Sequence, residues 1–73
     1  MTPELIRAAI VALEHEIVRE NAAAIRERAN LARRGDVSRR QLRARLSAAR
    51  IAEFSQHIAT LQTELERCQT RKD

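Results

Sequence analysis

Several residue types that shape most folds are scarce in this sequence. It has one cysteine, one glycine, one proline and one phenylalanine, and neither tryptophan nor tyrosine. A single cysteine excludes an intramolecular disulfide. Few helix breakers and few aromatic strand formers, together with many Ala, Leu, Ile, Glu, Arg and Gln residues, favour helix over strand. We therefore expect an all-α chain.

Signals of membrane insertion and of catalysis are also missing. The longest apolar run covers residues 8–13, too short to span a bilayer, and the N-terminus lacks the basic and apolar segments of a secretory signal. There is no Ser/His/Asp set, phosphate-binding loop or dinucleotide fingerprint. His15 and His57 supply too few ligands for a metal site, and Cys68 has no base placed beside it. We expect a cytoplasmic, non-enzymatic protein with no cofactor and no metal site.

The only glycine divides the chain into two helical halves. Thr2 is a residue type favoured at a helix N-cap, and Pro3 is one favoured at the first helical position. No further helix breaker occurs before Gly35. Gly35 suits the left-handed residue that follows a helix C-terminus. The chain 1–73 is therefore predicted to be a single domain, with helix one over about residues 3–33, a turn over 34–38 and helix two over about 39–69.

The residues after the turn carry a second start signal. Ser38 and Gln41 have the spacing of a capping box, and Val37 and Leu42 have the spacing of a hydrophobic staple. Both motifs predict that Ser38 is the N-cap of helix two.

Apolar residues in both helices recur at alternating steps of three and four, the spacing of a coiled-coil seam. Helix two carries Ile51, Phe54, Ile58, Leu61, Leu65 and Cys68. Folding the chain back at the turn pairs this seam in register with helix one: Leu65 with Ile6, Leu61 with Ile10, Ile58 with Leu13, and Phe54 with Ile17. The same register nearer the turn pairs Ala49 with Ala22, Leu46 with Ile25, and Leu42 with Ala29. We predict an antiparallel two-helix hairpin paired along its whole length.

Each helix also carries a second apolar stripe. In helix one it lies roughly 120° from the seam and consists of Val11, Val18, Ala22, Ile25, Ala29 and Ala32; in helix two it consists of Leu42, Leu46 and Ala49. One partner helix cannot cover two stripes, and so small a chain buries little surface by itself. We expect a homodimer in which two hairpins form a four-helix assembly, the alternative being a monomer whose alanine-rich stripe faces water. The predicted core and dimer residues are Ile10, Leu13, Ile17, Val18, Ile25, Leu46, Ile51, Phe54, Ile58, Leu61 and Leu65.

Positive charge is concentrated around the turn. Residues 26–50 contain nine arginines and only two acidic residues, a net charge of +7, whereas the remaining residues have a net charge of −3. The folded hairpin should therefore have a basic tip, which we define as Arg33, Arg34, Arg39, Arg40, Arg43 and Arg45. Arg39 and Arg40 oppose the dipole at the start of helix two, and violations of local rules concentrate at functional sites.

Two kinds of partner suit the basic tip. Arginines contact the phosphates of nucleic acids or the acidic surface of a protein, and a third interpretation is a solvated face that keeps a small dimer soluble. For nucleic-acid binding, the sequence has no set of aromatic residues for base stacking and no zinc finger, and Gly35 interrupts any continuous basic helix. We favour a module that binds another protein, with a nucleic-acid-binding regulatory protein as the alternative.

In its size and lone-hairpin plan, the chain resembles the small helical proteins that bacteriophages and other mobile elements encode to bind and inhibit host proteins, including transcription regulators. This resemblance lies in the architecture and transfers no functional residue. It implies an inhibitor or adaptor of a host protein.

Overall fold

A computed structural model describes residues 2–70, which form two helices, α1 (Pro3–Arg33) and α2 (Val37–Thr70), with no strand in that range. The helices pack side by side as a hairpin that measures 59 × 15 × 13 Å. The predicted all-α hairpin is confirmed. Helix α1 ends at the predicted residue, whereas α2 begins two residues earlier than expected.

The sequence signals at the start of α1 act as predicted. Thr2 has an extended backbone, and its hydroxyl Oγ1 accepts a hydrogen bond from the Leu5 N–H at 3.3 Å. Pro3 occupies the first turn, where its missing N–H costs nothing, and Glu4 places a carboxylate at the positive end of the helix dipole.

The end of α1 is a Schellman motif built on Gly35. The Gly35 N–H donates to the Ala32 carbonyl at 3.1 Å, and the Asp36 N–H donates to the Leu31 carbonyl at 3.0 Å. Gly35 has a φ of 72°, the left-handed conformation that disfavours a side chain. The predicted role of Gly35 is confirmed.

The cap of α2 is Asp36, so the predicted capping box at Ser38 is wrong. Asp36 Oδ1 accepts a hydrogen bond from the Arg39 N–H at 3.1 Å, and the Asp36 carbonyl accepts one from the Arg40 N–H at 3.2 Å. Ser38 therefore lies inside the first turn of α2. Asp36 directly follows Gly35 in the Schellman turn. Because Asp is as good an N-cap as Ser, the helix is capped by Asp36 and not by Ser38.

The predicted hydrophobic staple is not formed either. Val37 and Leu42 are 62% and 56% exposed. Since α2 already begins at Val37, this residue does not hold the position before the cap that a staple requires.

The half of the hairpin farther from the turn has the predicted seam. Ile6 is 1% exposed and is the largest fully buried side chain in residues 2–70. The other seam residues are half-buried: Ile10, Leu13, Ile17, Ile51, Phe54, Ile58, Leu61, Leu65 and Cys68. This half supplies the apolar contact that holds α1 to α2.

The half nearer the turn uses different residues from those predicted. Ala24 and Ser47 are buried, whereas Ile25 and Leu46, which were expected to pair, are 60% and 51% exposed. The other predicted pairs in this half also consist of exposed residues: Ala22 with Ala49 and Ala29 with Leu42.

Continuity of the helices explains the difference. Steps of three and four that start from Ile17 lead along α1 to Glu20, Ala24, Arg28 and Leu31, all of them buried or half-buried. The same steps taken backwards from Ile51 lead to Ser47 and Ala44. Turning Ile25 inward would need a rotation of roughly 100° within one rigid helix, so the seam of the far half decides which residues face inward near the turn.

Candidate functional site at the hairpin tip

An ion-pair cluster lies between the helices in the half of the hairpin nearer the turn. Arg43 Nη1 lies 2.8 Å from Glu20 Oε1, and Arg43 Nε donates to Glu27. Arg50 Nη1 lies 3.4 Å from the other Glu20 oxygen, Oε2. The side chains of Arg43 and Glu20 are only 15% and 12% exposed, so they take the place of an apolar contact at the seam.

The pKa values of the central pair follow from these contacts. The hydrogen bond from Arg43, with a smaller contribution from Arg50, lowers the pKa of Glu20 below its ordinary value of 4.5. The hydrogen bonds to Glu27 and Glu20 raise the pKa of Arg43. Both groups are therefore charged at neutral pH, and each charge is compensated within the hairpin.

Arg43 thus differs from the other five residues of the basic tip. Its guanidinium contacts two carboxylates of α1 and is largely covered, whereas the other five side chains are exposed: Arg33, Arg34, Arg39, Arg40 and Arg45. Arg39 Nε lies 3.5 Å from the Asp36 carboxylate, but its side chain remains 76% exposed. These five arginines are open to solvent at the tip, whereas Arg43 connects the two helices.

A groove at the tip combines apolar and basic residues. Leu31 from α1 and Leu42 and Leu46 from α2 line it, and the groove has a volume of about 460 Å³. Leu42 and Leu46 are one helical turn apart and more than half exposed. The remaining lining residues are polar: Glu27, Asn30, Arg34, Arg39 and Arg43. We call this set the tip groove.

The two apolar stripes lie on opposite faces of the hairpin. In an antiparallel pair, residues that follow the seam residues by one position lie on one face, and residues that precede them by one lie on the other. Glu27, Asn30, Arg43 and Leu46 precede seam residues, and all of them line the tip groove. Ile25 follows the seam residue Ala24 and therefore lies on the opposite face.

That opposite face, which we call the valine face, is mainly apolar. Its large side chains are Val11, Val18 and Ile25, which are 50%, 66% and 60% exposed. Exposed alanines surround them: Ala22, Ala29, Ala32, Ala48 and Ala52. Arg28 lies at its edge, half-buried, with an Nε atom that has no hydrogen-bond partner among residues 2–70.

The remaining candidates do not form a site in the described part of the chain. His15 and His57 are both exposed, and residues 2–70 contain no group of three or more His, Cys, Asp and Glu residues placed to hold a metal ion. Cys68 is half-buried in the seam. Within the same range, neither helix has a stretch apolar and long enough to cross a membrane.

Sequence reasoning missed Glu20 and the role of Arg43. The signal was present, because extending the seam of α1 from Ile17 by three residues leads to Glu20, and an acidic residue at a seam position calls for a basic partner. A pattern of apolar residues alone does not include Glu20.

No protein-family model, curated protein or solved structure matches this chain. Its function is therefore inferred from the charges, grooves and exposed apolar side chains of the hairpin itself.

Proposed function

We propose that this chain is a non-enzymatic, cytoplasmic protein-binding module, an inhibitor or adaptor that binds another protein through the tip groove. The observation that carries the proposal is that exposed leucines and exposed arginines line the same groove. Leu42 and Leu46 lie in one groove with Arg34 and Arg39. Apolar contact supplies affinity for a protein surface, and arginines are enriched in protein interfaces.

The internal ion pairs give the groove its net charge. The only acidic residue that lines it is Glu27, which is paired with Arg43. Arg34 and Arg39 therefore favour a partner surface that is acidic as well as apolar. An all-helical hairpin offers no sheet edge over residues 2–70, so a helix or loop of the partner fits this groove better than a strand. A regulator of the host is the kind of partner that the architectural resemblance implies.

We also propose that the module is a homodimer. The accessible surface of the chain is 5846 Å². A compact monomer of 8.3 kDa would expose about 4,600 Å². The surplus, on the order of 1,200 Å², is within the range that one subunit buries in a stable homodimer.

The alternative function is nucleic-acid binding through the five exposed arginines. The observation in its favour is that Arg33, Arg34, Arg39, Arg40 and Arg45 all lie at one end of the rod, within reach of a single phosphate backbone. Against it, Phe54, the one aromatic residue, is half-buried in the seam and is not available for base stacking.

Affinity capture from the native host tests the proposal. The tagged protein is used before and after nuclease treatment of the lysate, beside a Leu42→Ser/Leu46→Ser variant. We expect a protein that survives nuclease treatment, that the variant fails to retain, and that binds the purified chain directly. Recovery of nucleic acid alone would overturn the proposal.

A salt titration decides between the two partner classes. The variant with Arg33, Arg34, Arg39 and Arg40 changed to Gln keeps the fold, because all four side chains are exposed. If the tip binds duplex DNA, log Kd should rise linearly with log salt, by about 0.9 per phosphate neutralised, and the variant should lower that slope. We expect no duplex binding at physiological salt by either protein.

A further inference from the structure

The valine face remains uncovered in the hairpin and has the pattern of a second coiled-coil seam. Val11, Val18, Ile25 and Ala32 follow one another at steps of seven along α1. The alanines between them allow close approach of another helix. Val18 is 66% exposed and Ile25 is 60% exposed, so both side chains are largely in water in the single hairpin. A partner helix on the valine face would cover them.

The charge distribution limits how a second copy can lie on this face. A parallel arrangement would bring two tips together, each with a net charge of +7 in residues 26–50. An antiparallel arrangement moves the two tips to opposite ends and sets each against the part of the other copy whose net charge is −3.

We propose that two copies dimerise antiparallel through the valine face, with α1 against α1 and α2 against α2. The two-fold axis lies at the centre of the repeat, so that residues of α1 whose numbers add to 43 are opposite each other. This register places Val18 against Ile25 and Val11 against Ala32 of the second copy. All the large side chains of the face are then covered by apolar partners.

Two residues outside the repeat fit the same register. Glu14 lies within one residue of the level of Arg28 in the second copy, and both occupy the same flank of the interface. Arg28 forms no ion pair among residues 2–70, and its Nε lacks a hydrogen-bond partner in that range. The Glu14 carboxylate of the second copy supplies that partner.

The same axis brings small residues together in α2. The level of the axis in α2 falls near residues 49 and 50, where Ala48 and Ala52 are exposed on the valine face. Side chains of this size let the second pair of helices approach without a clash. The tip groove lies on the opposite face and stays open in the dimer. The inference thus rests on the proposed homodimer and is independent of the protein partner.

The apolar part is tested by sedimentation equilibrium on a pair of matched variants. Ile25→Ser removes an exposed side chain from the valine face, and Leu46→Ser removes a similarly exposed one from the opposite face. We expect Ile25→Ser to raise the dimer dissociation constant about tenfold or more and Leu46→Ser to leave it unchanged. A wild-type monomer, or equal effects of the two variants, overturns the proposal. Loss of partner capture by the Leu42→Ser/Leu46→Ser variant is a separate readout, so failure of the dimer and failure of the proposed function are distinguishable.

The register is tested by exchange of charges. Glu14→Arg alone should weaken dimerisation severalfold, and adding Arg28→Glu should restore it, because the ion pair re-forms with its signs reversed. Circular dichroism of each variant checks that the helices are intact. No recovery in a folded double variant would overturn the register.

The orientation is tested with a spin label on Cys68, the only cysteine. At a rise of 1.5 Å per residue, the two labels of an antiparallel dimer lie about 55 Å apart, whereas a parallel dimer brings them within about 25 Å. Because Cys68 is half-buried, a second variant carries the label at the exposed position of Ser38, as Ser38→Cys in a Cys68→Ser background. The two labels at position 38 lie about 35 Å apart in the antiparallel dimer. A short distance at both positions would refute the antiparallel arrangement.

Discussion

At the scale of single residues, Glu20 and Arg43 decide how the tip half of the hairpin is held together. A buried carboxylate without a partner would be costly, but both oxygens of Glu20 are engaged by arginines of α2. The pair also bears on the proposed function, because it removes Arg43 from the surface and leaves the other five arginines of the basic tip exposed.

The pKa of Glu20 predicts a pH dependence of stability. Because this pKa is lowered in the folded state, the carboxylate stabilises the hairpin above its ordinary pKa of 4.5, and this contribution is lost as the pH falls through the lowered value. Glu20→Gln should lower the melting temperature at pH 7, and the melting curves of variant and wild type should converge in acid. Glu66→Gln, at an exposed position of α2, serves as the control and should change little at pH 7. Identical pH profiles for Glu20→Gln and wild type would contradict the prediction.

Gly35 allows a clean measurement of a backbone effect. A Cβ at this position would have no atom within 4 Å, so any loss of stability must come from the left-handed φ of 72°. We expect Gly35→Ala to reduce the free energy of unfolding by about 1 to 2 kcal/mol and Gly35→Asn to reduce it less, because Asn tolerates this conformation. Urea unfolding of the three proteins compares them; equal stability of Ala and Gly at this position would exclude the Schellman turn.

At the scale of secondary-structure elements, two variants distinguish the observed N-cap of α2, Asp36, from the predicted one, Ser38. Asp36 accepts the Arg39 N–H, whereas Ser38 lies within the helix. Asp36→Ala should cost about 1 kcal/mol, whereas Ser38→Ala should leave stability unchanged or raise it slightly, because Ala is the better helix former. Thermal unfolding of both variants provides the comparison, with Asp36→Asn expected to retain most of the stability. A larger loss for Ser38→Ala would restore the capping box.

The seam between α1 and α2 makes a further prediction about the helices. Leu61 is a half-buried seam residue of α2, whereas Leu42 is 56% exposed in the tip groove. Leu61→Ala should reduce the free energy of unfolding by about 2 kcal/mol, at the low end for core leucines because the site is not fully covered. Leu42→Ala should stay within about 0.5 kcal/mol. Denaturant unfolding measures both, and similar losses would mean that the seam is wrongly placed.

At the scale of the whole molecule, the single hairpin buries few side chains fully. Only Ile6, Ala24 and Ser47 are buried among residues 2–70. In the proposed homodimer a second copy would cover further apolar surface, and folding and association would then be coupled.

Coupled folding and association predict a melting temperature that depends on protein concentration. We expect the midpoint to rise over a hundredfold range of concentration for wild type and for Leu46→Ser. The Ile25→Ser variant should show a lower midpoint and helix loss at micromolar concentration. A midpoint independent of concentration would mean that the hairpin is stable as a monomer.

The sequence alone was sufficient for features that depend on neighbouring residues and on a simple period. The end of α1 follows from the only glycine, and the burial of Ile6 and partial burial of Leu65 follow from regular apolar steps in both halves of the chain. The contacts near the turn were decided by the tertiary structure. Local apolar content favoured Ile25 and Leu46 there, but each helix is a rigid rod whose rotation is set by the longer apolar seam far from the turn. That rotation turned Ile25 and Leu46 outward and brought Glu20 to Arg43, 23 residues away in sequence. The apolar residues near the turn do not indicate this contact, because it follows from continuing the seam of the far half past Ile17.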